Sequence, residues 1–207
     1  MLRLTDVKHS FGETHIKYPD WEVQPGEHAL ILGNSGSGKT TLLHIVSGLL
    51  TPSEGKVELE NEVLSEMAPS KLDRFRGHTI GLVFQKPHLI KSLTVQENIQ
   101  LAGQFGQTKI TKERLNDVME ALDIDALANR KVFEISDGQA QRVSIARAVI
   151  HEPKLLAADE PTASLDDDNC ERVIALLESQ AERCKATLVI ATHDQRVKDR
   201  FSNKLEL

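Results

Sequence analysis

The segment Gly33-Asn34-Ser35-Gly36-Ser37-Gly38-Lys39-Thr40 restricts this chain more than any other stretch of it. It fits the pattern G-x-x-x-x-G-K-[ST], in which glycines let the backbone wrap a phosphate chain at close range. Ala29-Leu30-Ile31-Leu32 before it reads as a buried strand, and Thr41-Leu42-Leu43-His44-Ile45-Val46 after it as the first turns of a helix. Strand, glycine loop and helix in that order aim backbone N–H groups and the positive end of a helix dipole at one point. The octet therefore predicts a nucleoside triphosphate site lined by Asn34, Ser35, Gly36, Ser37, Gly38, Lys39, Thr40 and Thr41. Lys39 is expected against the β- and γ-phosphates as a point charge, and the Thr40 hydroxyl on Mg²⁺.

A second stretch answers the first. Leu155-Leu156-Ala157-Ala158-Asp159-Glu160 is an apolar strand ending in two carboxylates. Parallel strands deliver ligand-binding residues at their carboxyl edge, where the phosphate loop also lies. Asp159 is expected to hold Mg²⁺, and Glu160, one step beyond, to polarise the water that attacks the γ-phosphate.

The rest of the chain fits an α/β architecture. Strands are predicted from Leu2, Leu4 and Val7, from Ile16 to Val23, from Val57 to Leu59, from Thr79 to Phe84 and from Thr187 to Ala191. Strands alternating with helices imply a parallel sheet covered on both faces. Between Val95 and Ile150 the pattern is helical throughout: Leu115, Val118, Met119 and Leu122 share one face, as do Val143, Ala146, Val149 and Ile150. That stretch supplies no strands, so it is expected to form its own lobe. Val173, Ile174, Leu177 and Ala181 mark the buried stripe of a further long helix.

Composition narrows the function classes. The chain has 207 residues, enough for one well-buried domain, and a net charge of −6, which argues against nucleic acid or anionic lipid as a bulk electrostatic partner. No apolar run approaches the roughly 20 residues that cross a bilayer. The opening Met1-Leu2-Arg3-Leu4-Thr5-Asp6 lacks the regions of a secretion signal. Cys170 and Cys184 fall on one predicted helix about four turns apart, too far for a disulfide and suited to reduced thiols in the cytosol.

With these motifs in order, the sequence resembles the ATP-binding cassette ATPases over nearly its whole length. Gln85, after the strand Ile80 to Phe84, matches the family's Q-loop glutamine. Ile135-Ser136-Asp137-Gly138-Gln139, followed by Gln141-Arg142, is similar to the signature, Pro161-Thr162-Ala163-Ser164-Leu165-Asp166 to the D-loop, and His193 to the switch histidine. Phe11 falls where the family stacks an aromatic on adenine. The resemblance implies a RecA-like parallel-sheet core of about residues 1–85 and 151–207, with an antiparallel β edge and an inserted helical subdomain of about 86–150. It implies ATP and Mg²⁺ as ligands, the metal held by Thr40, Gln85 and Asp159, and catalysis by Glu160, His193, Gln85 and Lys39. Ser136, Gly138 and Gln139 would meet the γ-phosphate held by a second copy, so that two chains sandwich two ATP molecules.

The resemblance also implies a membrane partner. An integral permease would dock near 86–95, where Leu89, Ile90 and Leu93 offer apolar groups, and would hold the chain on the cytoplasmic face of the membrane. The passage Phe84-Gln85-Lys86-Pro87-His88-Leu89-Ile90 and the ending soon after His193 look like the branch serving lipoprotein release, macrolide efflux and cell division. One departure matters: Asp137 stands where the usual signature has its first glycine, and a carboxylate there would repel a γ-phosphate. The alternative is thus an ATP-gated binding module with weak hydrolysis. A phosphate-loop kinase or GTPase accounts for neither Ser136-Asp137-Gly138-Gln139 nor His193.

Overall fold

The computed structural model of the chain describes residues 1–106, 108–163 and 165–207. Its centre is a five-stranded parallel sheet in the order β10 (Asn203–Glu206), β4 (His28–Leu32), β9 (Thr187–Thr192), β8 (Leu155–Asp159), β7 (Ile80–Val83). Period-2 alternation divides its side chains between two cores. Leu30, Leu32, Leu156, Ala158, Leu188 and Ile190 face one cluster; Ala29, Ile31, Leu155, Ala157, Val189 and Ala191 face the other.

The first cluster lies under helices. It takes in α3 (Val95–Phe105), α4 (Lys112–Ala121), α5 (Asp137–Val149) and α6 (Asp167–Cys184) through Ile99, Leu115, Val118, Met119, Val143, Val149, Ile174 and Leu177. The helices of the middle stretch therefore share one continuous core with a face of the sheet. The α6 stripe runs through Cys170, Ile174, Leu177 and Ala181; Val173 is only partly buried. Cys170 and Cys184 are both free thiols, as the helical spacing requires.

The second cluster holds α1 (Lys39–Val46) between the parallel sheet and a second, antiparallel sheet. That sheet runs β2 (Thr14–Lys17), β1 (Leu2–Phe11), β5 (Glu54–Leu59), β6 (Glu62–Val63), with β3 (Trp21–Val23) also paired to β1. The predicted strand from Ile16 to Val23 is thus two strands. Asp6 has a positive φ of 48°, which kinks β1, and its N–H donates to Asp20 Oδ1 at 2.7 Å. The partner chain breaks opposite this kink, at Tyr18-Pro19-Asp20, because proline cannot carry the ladder onward. Gly55 packs against the same kink, and a Cβ there would lie 2.3 Å from the Asp6 carbonyl oxygen.

Three elements lack a periodic signal and were not expected. The hairpin strand β6 follows Glu60 and Asn61, both at positive φ, the geometry of a tight two-residue turn. Strand β10 extends the parallel sheet beside β4. Helix α2 (Pro69–Thr79) has no fully buried residue, and it claims Thr79, so β7 starts at Ile80 and ends at Val83.

Candidate active site

Register brings the carboxyl ends of β4, β9 and β8 together: Leu32 pairs with Thr192 and Ala191 with Asp159. The segments that follow these three strands therefore emerge along one edge of the sheet. They are the glycine loop, the residues around His193, and Glu160.

The loop ends in a helix start that no side chain occupies. Gly38 caps α1 at φ 98°, with no side-chain hydrogen bond to the first turn and no acidic residue in it. By contrast, α3, α4, α5 and α6 are each capped by a Thr, Ser or Asp side chain. The free N–H groups of α1 are thus available to an anion. Gly36 also has positive φ, and the Tyr18 hydroxyl donates to the Gly38 carbonyl at 3.3 Å, bracing the loop from the antiparallel sheet.

Lys39 is nearly buried, 6% exposed, and its Nζ donates to the carbonyls of Gly33 at 2.9 Å and Asn34 at 3.0 Å. The same Nζ lies 3.5 Å from Glu160 Oε1. The ammonium is therefore held at the mouth of the loop by weak acceptors that a phosphate oxygen can outcompete.

The Thr40 hydroxyl donates to Asp159 Oδ1 at 3.0 Å. Burial pushes the Asp159 carboxyl above its usual range, and the Thr40 bond works against that shift. A hydroxyl and a buried carboxylate side by side form an oxygen-only donor pair suited to a hard cation such as Mg²⁺, whose other ligands are phosphate and water oxygens. Among the described residues no group of three or more His, Cys, Asp or Glu is arranged to hold a metal unaided.

Glu160 is locked on several sides. It adopts a positive φ of 44°, its N–H donates to the Ala191 carbonyl, and Thr192 Oγ1 donates to its Oε2 at 3.1 Å. The His193 Nδ1 donates to its Oε1 at 2.9 Å, leaving the other ring nitrogen directed elsewhere. A carboxylate fixed this way, in a strained backbone conformation, can orient a water and take its proton.

The structure joins Lys39, Thr40, Asp159, Glu160 and His193 at one edge. It does not join the remaining sequence-predicted residues to them: among the described residues no side-chain hydrogen bond links this set to Phe11, Gln85, Ser136 or Gln139. Gln85 lies in an exposed bend past β7. Phe11 ends β1, 49% exposed, with its ring edge-on to His9 at 4.5 Å. Ser136 caps α5 in a reciprocal box: its hydroxyl accepts from the Gln139 N–H, and its own N–H donates to Gln139 Oε1 at 2.9 Å. Asp137 and Gly138 in that first turn are exposed, with nothing within 4 Å of a Cβ built at Gly138. Ser164, in the stretch compared with the D-loop, lies outside the described residues.

Some supporting residues gave no sequence signal. Thr192 and Asp194 flank His193, and Thr162 Oγ1 donates to Asp194 Oδ2 at 2.9 Å. The segment after Gln85 is held from two helices. Arg147 of α5 donates to the carbonyls of Pro87 at 2.7 Å and His88 at 2.9 Å. Asn98 of α3, fully buried, accepts from the Ile90 N–H and donates to the carbonyls of Ile90 and Thr94. Only their adjacency to motifs in sequence (Thr192, Asp194) was available beforehand; Arg147 and Asn98 are many residues away from what they hold.

This fold, with these groups at the carboxyl edge of its parallel sheet, defines a phosphate-loop ATPase. The profile of the family described as ABC transporter matches residues 16–163. LolD, a lipoprotein-releasing system ATP-binding protein of Leptospira interrogans serogroup Icterohaemorrhagiae serovar Lai, is 32% identical over 100% of this chain and 88% of its own. The bacitracin export ATP-binding protein BceA of Halalkalibacterium halodurans is 37% identical over 94% of this chain and 79% of its own. Among solved structures, the dimeric post-hydrolysis state of the ATP-binding cassette MJ0796 bound to ADP and Pi superposes with a TM-score of 0.87 at 33% identity, covering 100% of this chain and 94% of that one. The chain belongs to the ABC transporter family, as an ATP-binding subunit of the LolD and BceA type. It binds ATP and is an ATPase.

Proposed function

We propose that this chain works as a pair of copies closing around two ATP molecules to drive an integral membrane permease, in export, lipoprotein release or mechanical transmission. The observation that carries this reading is the division of the signature from the loop. The turn at Ser136, Asp137 and Gly138 is an exposed helix start, with no described residue within 4 Å of a Cβ placed at Gly138. Lys39, Glu160 and His193 already form one connected set at the other site. A second copy supplies what each half lacks. The dimeric MJ0796 cassettes support the arrangement.

In this mechanism Lys39 exchanges the Gly33 and Asn34 carbonyls for β- and γ-phosphate oxygens. The N–H groups of the glycine loop cradle the phosphate chain, and Phe11 stacks on the base. Thr40 and Asp159, together with Gln85, would hold Mg²⁺, and the ion would supply positive charge to offset what develops on the phosphate oxygens. Glu160 orients the attacking water and accepts its proton, while His193 fixes Glu160 through Nδ1 and turns Nε2 toward the γ-phosphate. Ser136, Gly138 and Gln139 of the opposite copy close over that phosphate. Its removal releases the copies.

The permease is proposed to dock near residues 86–95, the largely exposed segment past Gln85 that Arg147 and Asn98 hold in place. Ile90 is an exposed apolar group of that segment, whereas Leu89 packs on the protein's own core. Helices long and apolar enough to cross a membrane are absent among the described residues. The proposed location is therefore peripheral, on the cytoplasmic face, through the permease. The net charge of −6 supports a protein partner over nucleic acid.

Glu160→Gln tests the reading. It removes the proton acceptor but keeps the shape, so turnover should fall to background while ATP holds a dimer that elutes earlier in gel filtration. A persistent monomer with ATP bound would refute the sandwich. The exposed Asp137 favours one second reading, an ATP-gated module with weak hydrolysis, which the turnover number of the unmodified chain decides.

A further inference from the structure

One side chain near the site is bonded far more heavily than its surface position requires. Arg196 follows His193 by three residues, in the 3₁₀ segment Gln195–Arg200. Its Nε donates to Asp194 Oδ1 at 2.9 Å and its Nη2 to Asp194 Oδ2 at 2.7 Å, a bidentate fork. Its Nη1 reaches the other way, to the Leu165 carbonyl at 3.1 Å and to Asp167 Oδ1 at 2.7 Å. One planar guanidinium thus spans the segment carrying His193 and the segment that leads from Glu160 into α6.

Asp194 is the receiving end of that span. It accepts from Thr162 Oγ1 as well, and its own N–H donates to Thr192 Oγ1 at 3.0 Å, the hydroxyl that donates to Glu160 Oε2. The Arg196 guanidinium holds the Asp194 carboxyl far below the usual carboxylate range, so it stays charged and paired at any working pH. Displacing either segment by an ångström would break several charge-assisted bonds together.

We propose that Arg196 is a positioning residue for hydrolysis: by tying Asp194 to Leu165 and Asp167, it fixes the distance between His193 and Glu160 and makes their two segments move as one body. The proposal rests on the assignment of Glu160 and His193 as the hydrolytic pair. Lysine cannot replace it fully, because a single ammonium lacks the fork that serves both segments at once.

The test is steady-state ATP hydrolysis by the full chain, with Arg196→Ala measured alone and in a His193→Ala background, and Asp167→Asn beside it. Arg196→Ala should lower kcat about tenfold with KM for ATP within twofold, since a small misplacement costs rate more than ground-state binding. Arg196→Lys should recover part of that loss, and Asp167→Asn, which opens only one arm, should cost about threefold. In the His193→Ala background the Arg196→Ala effect should vanish, because the residue acts through that side chain. An equal tenfold loss in both backgrounds, a rise in KM with kcat unchanged, or unchanged rates for Arg196→Ala and Asp167→Asn would each overturn the proposal. A Glu160→Gln variant that still hydrolyses ATP would instead overturn the assignment beneath it.

Discussion

Replacing Asp137 by glycine should move two properties in opposite directions. Asp137 is exposed in the first turn of α5, the turn proposed to meet the partner's γ-phosphate. Like unit charges about 6 Å apart cost about 2.8 kcal/mol at an effective dielectric near 20, but only about 0.7 kcal/mol when water surrounds them. The smaller value is the floor, since closing the sandwich can only take water away from this exposed side chain. A symmetric sandwich contains the contact twice, so Asp137→Gly should favour ATP-driven dimerisation by at least about 1.4 kcal/mol, roughly tenfold in the dimer constant. The same change removes an acid from a helix N-terminus, a loss of about 0.3–1 kcal/mol that lowers Tm by about one to four degrees. Sedimentation in a Glu160→Gln background, with ATP at low salt and again near 1 M salt, reads the first effect. The gain should shrink as the Debye length falls to about 3 Å. A dimer constant unchanged within twofold, alongside the expected fall in Tm, would refute the reasoning: the carboxylate would then lie away from the phosphate.

Two further predictions concern support rather than chemistry. Asn98→Ala strips partners from the Ile90 N–H and two carbonyls, so we expect a loss of about 2 kcal/mol, a Tm lower by about four to eight degrees, and faster proteolysis within 86–95; an unchanged digest would show that Asn98 does not anchor that segment. His151 donates from Nε2 to the Ile80 carbonyl while its buried Nδ1 has no partner among the described residues, and burial lowers its pKa below 6.5. The unfolded chain therefore binds that proton more readily, so the contribution of His151 is complete above about 6.5 and is lost as pH falls through the depressed folded value. Urea unfolding of the parent and His151→Gln across that window should show a shallower decline in the variant, and parallel curves would exclude the histidine.

Legibility in the sequence followed the range of the interaction. The octet from Gly33 to Thr40 needs only neighbouring residues to form a strand, a glycine turn and a helix start, and all three appear where the pattern placed them. The apolar stripes of α4 and α5 were equally readable, because burial of one helix face imposes a period on the residues themselves. Helix α2 buries no residue completely and so leaves no such period. The break between β2 and β3 depends on a kink in β1 that is met only through strand pairing.

The site divides along the same line. Local sequence determined which groups stand at the strand ends: Lys39 and Thr40 after β4, Asp159 and Glu160 after β8, His193 after β9. Their meeting was decided by the strand order, which inserts β9 between β4 and β8 and brings Thr192 level with Leu32. The clamps of Arg196, Arg147 and Asn98 belong to the tertiary structure alone. Hydrogen bonds from a side chain to distant backbone or to a lone carboxylate follow no periodicity, so nothing in the order of residues announces them, and only packing brings donor and acceptor within reach.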